Sequence, residues 1–265
     1  MRIATSENGK QLTGSKTVTT PKNFEEGINT LLKIASELSK EQKITAVAGG
    51  LKGPLDKDKS ISLNPPDLPD WSNKPFKASL EKALSAPIYL ENDAALAGVG
   101  EATHGSGAGK NIVAYLTIST GIGGARIVNS QIDHSSLGFE PGHQIIDLNS
   151  DLVCGCGGHG HLEALIGGAA IEKRRQQKPE TIIDPQFWSE VARILAIGLN
   201  NVIVHWSPDV IVLGGSVMKS IPLDKVKTHL EDVLTIFPQT PEIVPAKLGD
   251  SAGLYGALAY LKSVI

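Results

Sequence analysis

Short continuous apolar runs alternate with stretches of helical apolar spacing from one end of this chain to the other. The residues after Met1 predict a strand, a turn at Glu7-Asn8-Gly9-Lys10, and a second strand reaching about Thr20. Asn8-Gly9 suits a hairpin because both residue types tolerate positive φ. A helix starting near Pro21 carries Phe24, Ile28, Leu31, Leu32, Ala35 and Leu38 on one face. Ile44 to Ala48 predicts a buried strand, ended by Gly49-Gly50 and Gly53-Pro54. The three prolines of NPPDLPDW, from Asn64 to Trp71, require a shaped loop. A helix from about Lys74 to Leu84 then precedes a strand at Ile88 to Leu90. That strand delivers Glu91, Asn92 and Asp93 to the start of an Ala-rich helix over 94–103.

The second half restarts with strands at Asn111 to Ile118 and Gly123 to Val128, separated by a small-residue turn. Trp188 to His205 predicts a long amphipathic helix. Pro208 to Leu213 predicts a buried strand ending in Gly214-Gly215-Ser216, and Ala252 to Leu261 a final helix. Strands and helices alternating throughout argue an α/β fold, whose chemistry collects at strand-to-helix junctions. The Gly105–Lys110 segment is the one plausible seam.

Composition narrows the class. The chain has 265 residues, 41% hydrophobic and 20% charged, with a net charge of −3, so it has the make-up of a globular protein and no basic footprint for nucleic acid. No apolar run reaches the roughly 18 residues of a membrane span. The polar start MRIATSENGKQL lacks the core of a signal peptide. Two cysteines with a candidate metal role point to a reducing compartment, and a cytoplasmic location is expected.

The candidate chemistry centres on Gly138 to Glu163, which holds both cysteines and three of the seven histidines. Cys154-Gly-Cys156 is badly spaced for a disulfide. His143, Cys154, Cys156 and His161 form a candidate four-ligand zinc site, the alternative being reduced thiols in a glycine-rich loop with histidines nearby by chance. Thr120-Gly121-Ile122-Gly123-Gly124 and Gly214-Gly215-Ser216 each either cradle phosphate through backbone N–H groups or serve as plain turns. There is no Walker A sequence. Asp93 is either a general base for a hydroxyl or a helix N-cap, and local sequence favours the cap. Glu140 and Glu163 either bind the hydroxyls of a sugar or are solvated surface charges.

Five segments in order carry a resemblance: ENDAALAG at 91–98, STGIGGARIVN at 119–129, GFEPGH at 138–143, CGCGGHGHLE at 154–163 and DVIVLGGSV at 209–217. Together they resemble the ROK family of sugar kinases and related repressors, nearly end to end. The resemblance implies an actin-like, ribonuclease-H-like ATPase fold, with two α/β domains around a central cleft. The first domain would span 1–109 and the second 110–250, with a final helix over about 251–265 returning to the first. It implies Asp93 as the base that deprotonates a sugar hydroxyl, and Asn92, Glu140, His143 and Glu163 as sugar ligands. It further implies Thr120, Gly121, Gly123, Gly214 and Gly215 at ATP·Mg²⁺, and structural zinc on His143, Cys154, Cys156 and His161. A homodimer phosphorylating glucose, an N-acylated hexosamine or a similar hexose is the implied whole, with no nucleic-acid or membrane partner.

The chain departs from the family pattern at several places. His161 replaces the third cysteine of the zinc cluster, and imidazole serves zinc as thiolate does. Asp67 replaces the asparagine of the sugar loop and loses its NH₂ donor, for which Asn64 can compensate. Lys52 replaces a usual proline. Family kinases open with a strand and an Asp-x-Gly-Gly-Thr phosphate turn, whereas MRIATSENGK matches the segment just C-terminal to that turn. The expectation is a short missing N-terminal segment; if the sequence is complete, kinase activity is expected to be weak or absent, and a sugar-binding sensor or degenerate kinase becomes the alternative.

Overall fold

The computed structural model describes residues 1–65 and 68–265. Strands β1 (Arg2–Thr5) and β2 (Gly14–Thr17) form the expected hairpin, though β2 stops short of Thr20. The Asn8 side chain holds the turn, its Oδ1 accepting the N–H groups of Lys10 and Gln11. Helix α1 (Phe24–Ser39) begins later than Pro21 because Asn23 caps it, accepting the Glu26 N–H at 3.0 Å.

Strand β3 (Val47–Leu51) also departs from expectation, starting later and running on through Gly49-Gly50. It pairs in parallel with β4 (Ile88–Asn92), and such a ladder is made by backbone groups that glycine supplies as well as any residue. Helix α2 (Phe76–Leu84) and α1 cover this ladder over a core of Phe24, Ile28, Leu80, Ile88 and Leu90. Trp71, in a 3₁₀ turn at Pro69–Trp71, plugs the same core. Its Nε1 donates to the Pro21 carbonyl at 3.1 Å and its ring meets Phe24 edge-on. The proline loop is therefore fastened at its C-terminal end.

Helix α3 (Asp93–His104) leads into a five-stranded sheet of order β7-β6-β5-β8-β9. Here β5 is Ile112–Ile118, β6 is Ile122–Val128 and β7 is Gln131–Ile132, all antiparallel neighbours. Strands β8 (Val210–Gly214) and β9 (Glu242–Pro245) continue the sheet parallel to β5. Side chains alternate across it. Ala114, Leu116, Ile211 and Leu213 meet Leu195 and Leu199 of helix α6 (Pro185–Trp206), with Val226 and Leu230 of α7 (Leu223–Val233) behind. Helix α6 is long and apolar enough by composition to cross a membrane, and most of its apolar positions are buried on this core. Short helices α4 (Leu162–Ile166) and α5 (Gly168–Arg175) lie between.

On the other face, Ala95, Val99 and Ala102 of α3 pack on Val113, Tyr115, Ala125 and Ile127. Helix α8 (Ala252–Val264) lies along α3 and also touches β3. The two backbones meet at Gly256, where a Cβ would fall 1.7 Å from the Leu96 carbonyl oxygen. The fully buried Glu101 carboxylate accepts N–H groups from Ser106, Lys247 and Leu248, tying the end of α3 to the segment before α8.

Candidate functional site

The junction between β4 and α3 forms one wall. Asn92 keeps an extended backbone and supplies the cap, its Oδ1 accepting the N–H groups of Ala94 and Ala95 at 2.9 and 3.1 Å. Local sequence favours Asp93 for that role; with Asn92 capping, Asp93 becomes the first helical residue instead. Its Oδ1 accepts the Ala94 N–H at 2.8 Å, and its Oδ2 takes no hydrogen bond among the described residues. Asp93 is accessible to solvent yet crowded by protein, and that desolvation raises its carboxyl pKa. The Ala94 N–H and the Lys52 charge pull the other way. Asn92 Nδ2 donates to the Gly53 carbonyl at 3.2 Å, and the Asn64 backbone runs beside Gly53 with its side chain exposed. Asp67 lies outside the described residues.

The second wall is the β5–β6 turn. Ser119 N–H donates to the Gly121 carbonyl at 2.9 Å, closing a tight loop whose tip, Thr120, is exposed. The carbonyls of Ser119 and Thr120 accept the N–H groups of Gly168 and Ala169, seating the turn on the start of α5. Ser119 Oγ lies 3.1 Å from Ser216 Oγ, which joins this turn to Gly214-Gly215-Ser216 at the end of β8. Gly215 has φ of +100°, and a Cβ there would fall 2.1 Å from the Ile118 carbonyl oxygen, so only glycine fits. Gly123 brings β6 into contact with Ala94 at the start of α3. The two glycine turns and Asp93 thus border one region, an arrangement that separate sequence motifs did not disclose.

The third wall is the Cys/His loop. A tight turn, in which Cys154 N–H donates to the Gly158 carbonyl and Gly157 N–H to the Cys154 carbonyl, folds Cys156 back. The ligand atoms of His143, Cys154, Cys156 and His161 lie within 4.8 Å of one another. His143 Nδ1 is 3.4 Å from His161 Nδ1 and 3.6 Å from Cys154 Sγ, while Cys156 Sγ is 3.4 Å from His161 Nδ1. With Zn–S of about 2.3 Å and Zn–N of about 2.0–2.1 Å, the edges of a tetrahedral site are about 3.3–3.8 Å, so the four residues fit zinc. Burial pushes the Cys154 thiol up to about 11, with Cys156 and Glu163 adding to the rise. Without metal that thiol keeps its proton, and binding must displace it.

Glu163, in the first turn of α4, links two walls. Its Oε2 accepts the Ile122 N–H at 2.7 Å, and Cys154 Sγ donates toward its Oε1 at 3.6 Å. Glu140 sits 3.9 Å from His143 Nε2. Burial raises the pKa of Glu140; His143 lowers it, and the charges of Glu163 and Asp93 raise it further. The charges of two carboxylates on separate elements, Glu163 and Asp93, therefore both reach Glu140. Neither the Lys52 charge acting on Asp93 nor the Ser119–Ser216 link has a signal in the sequence, because both are made by folding.

Comparison with known proteins gives the same family throughout. A glucokinase of Thermotoga maritima is 27% identical over 98% of this chain and 93% of its own length. An N-acetylmannosamine kinase of Haemophilus influenzae is 30% identical over 77% of this chain and 73% of its own. A xylose repressor of Bacillus spizizenii is 29% identical over 77% of this chain, which spans 57% of the repressor's length. Among solved structures, a ROK hexokinase from Thermus thermophilus superposes with a TM-score of 0.85 at 31% identity, over 97% of this chain and 93% of that one. A ROK glucokinase from Streptomyces griseus, solved with glucose and AMPPNP, gives 0.80 at 25% identity over 96% and 93%. These neighbours give the fold as the actin-like ATPase α/β architecture, with two α/β domains about a cleft. With the family match running over residues 1–264, this chain belongs to the ROK family.

Proposed function

We propose that this chain is an ATP-dependent kinase of a hexose or N-acylated hexosamine, with Asp93 as general base. The observation that carries the reading is the convergence of Asp93, Glu140 and Glu163 beside two linked glycine turns. Glucose and AMPPNP bound together in the Streptomyces griseus relative support it. Asn64, Asp67, Asn92, Glu140, His143 and Glu163 are the proposed sugar contacts, and Thr120, Gly121, Gly123, Gly214 and Gly215 the proposed ATP contacts. A sugar hydroxyl presented to Asp93 Oδ2 gives up its proton as its oxygen bonds to the γ-phosphorus. The bond from that phosphorus to the β–γ bridging oxygen breaks, ADP leaves, and the proton rests on Asp93. Mg²⁺, when bound with ATP, neutralises phosphate charge. A raised carboxyl pKa makes Asp93 a better proton acceptor than an ordinary aspartate. Zinc is structural in this scheme, holding the loop that positions Glu140 and Glu163. The reading takes 1–109 and 110–250 as the two domains, and a cytoplasmic homodimer as the assembly.

A second reading is sugar binding without phosphoryl transfer. One observation favours it: a xylose repressor of Bacillus spizizenii is 29% identical over 77% of this chain. The test is ADP release by the purified chain with ATP·Mg²⁺ across a panel of hexoses and N-acylated hexosamines, beside calorimetry with sugar and with ATP separately. Sugar-dependent ADP release supports the kinase. Sugar binding with neither ATP binding nor turnover refutes it in favour of the sensor.

A further inference from the structure

Glu91 and Glu101 are the two carboxylates buried within the described residues, and the catalytic scheme uses neither. Glu101 is satisfied by backbone N–H groups, whereas Glu91 is held differently. Its Oε1 accepts the backbone N–H of Asn92 at 3.0 Å, and its Oε2 forms an ion pair with Lys59. Lys59 arrives from a small, heavily bonded loop. Asp56 accepts the Ser60 and Ile61 N–H groups and the Ser60 hydroxyl, while Leu55 and Ser62 bridge the loop's base. Ser62 Oγ donates to the Lys52 carbonyl at 2.8 Å, and Leu63 and Asn64 follow directly. Lys59 has φ of +50°, a conformation that non-glycine residues adopt sparingly, and such residues gather where geometry is set for function.

We propose that the Lys59–Glu91 pair is a positioning latch, joining the loop that leads into Asn64 to the backbone at Asn92 and so setting the sugar site against Asp93. The inference rests on the sugar-kinase reading and adds to it two residues that bind through others. Glu91 holds the N–H of the Glu91–Asn92 peptide, one peptide before the one that enters Asp93. Lys59 grips the loop from which Asn64 extends. Loss of Lys59 leaves a buried carboxylate with one N–H donor and frees the loop to move away from β4, and buried charges left without a partner are strongly unfavourable.

The test uses the full chain with Lys59→Met, Lys59→Arg and Glu91→Gln, reading sugar affinity by calorimetry, the ATP KM and amide hydrogen exchange. Lys59→Met and Glu91→Gln should weaken sugar binding about tenfold, a coupling of ordinary size for residues that act through others. The ATP KM should change less than twofold, and exchange should quicken over 54–63. Lys59→Arg, which keeps the charge, should restore sugar affinity. Wild-type affinity and exchange in Lys59→Met overturn the latch, and so does an equal loss for sugar and ATP, which would mark general loosening. A wild-type chain that neither binds nor phosphorylates sugar overturns the kinase reading instead and removes the latch's effect on affinity with it.

Discussion

Removing His161 is the sharpest test of how the Cys/His loop serves the site. Its Nδ1 lies 3.4 Å from both His143 Nδ1 and Cys156 Sγ, so it occupies one full corner of the ligand set. Structural zinc in small sites carries an apparent binding free energy of roughly 10–16 kcal/mol, or about 2.5–4 kcal/mol for each of four ligands. His161→Ala should therefore weaken zinc by roughly 10²–10³-fold, while His161→Cys keeps it bound. Competition against a chromophoric chelator measures the loss, and elemental analysis of the untreated protein should find about one zinc per chain. His161 also precedes the first turn of α4, where Glu163 holds the Ile122 N–H, so the same variant should weaken sugar binding and lower the Tm. Unchanged zinc affinity in His161→Ala would remove the residue from the ligand set. Metal-free wild type that binds sugar as tightly as the zinc form would refute the bracing role altogether.

Asp93→Asn should lower kcat by about 10²–10⁴-fold with sugar binding largely kept, and the acid limb of wild-type kcat/KM should lie above the ordinary aspartate value of about 3.9. The raised pKa means the fold prefers the protonated acid: stability is unaffected below the unfolded pKa and falls as pH rises through the folded one. Asp93→Asn should therefore raise the Tm at pH 7 but not at pH 3, and no difference between the two would contradict the shift. Trp71→Ala removes a ring that is 7% exposed and packed on Phe24 and Phe76, and should cost about 3–5 kcal/mol in denaturant unfolding. A loss under 1 kcal/mol would mean the proline loop is not anchored there.

Elements with a long, clean period were legible in the sequence: α1, α6, β5 and β8 emerge close to where their apolar spacing put them. Helix α5 was not, because GAAIEKRR has no apolar stripe and owes its start to the Ser119 and Thr120 carbonyls. Strand β9 is four residues paired at an edge, too short to show a period. The site was legible where chemistry is local, as in the Cys/His loop whose four ligand atoms do gather. It was illegible where a role depends on distant partners. Asn92 and Asp93 are adjacent, yet only the backbone geometry at Asn92 decides which one caps the helix. Nothing in the order of residues pairs Lys59 with Glu91.

The contact of α3 with α8 has a consequence for how the protein is made. Helix α3 begins with Asp93 and is made early in translation, but Gly256, which meets its Leu96 carbonyl, is made only with α8. At ribosomal speeds of about 5–20 residues per second, α3 waits roughly 10–30 s for its partner. During that interval the Leu96 carbonyl face is open to water or to chaperones, and the wall bearing Asp93 is held through its β5–β6 face but not yet by α8. A nascent chain whose α8 is still inside the ribosome should be inert, and activity should appear only once that helix emerges.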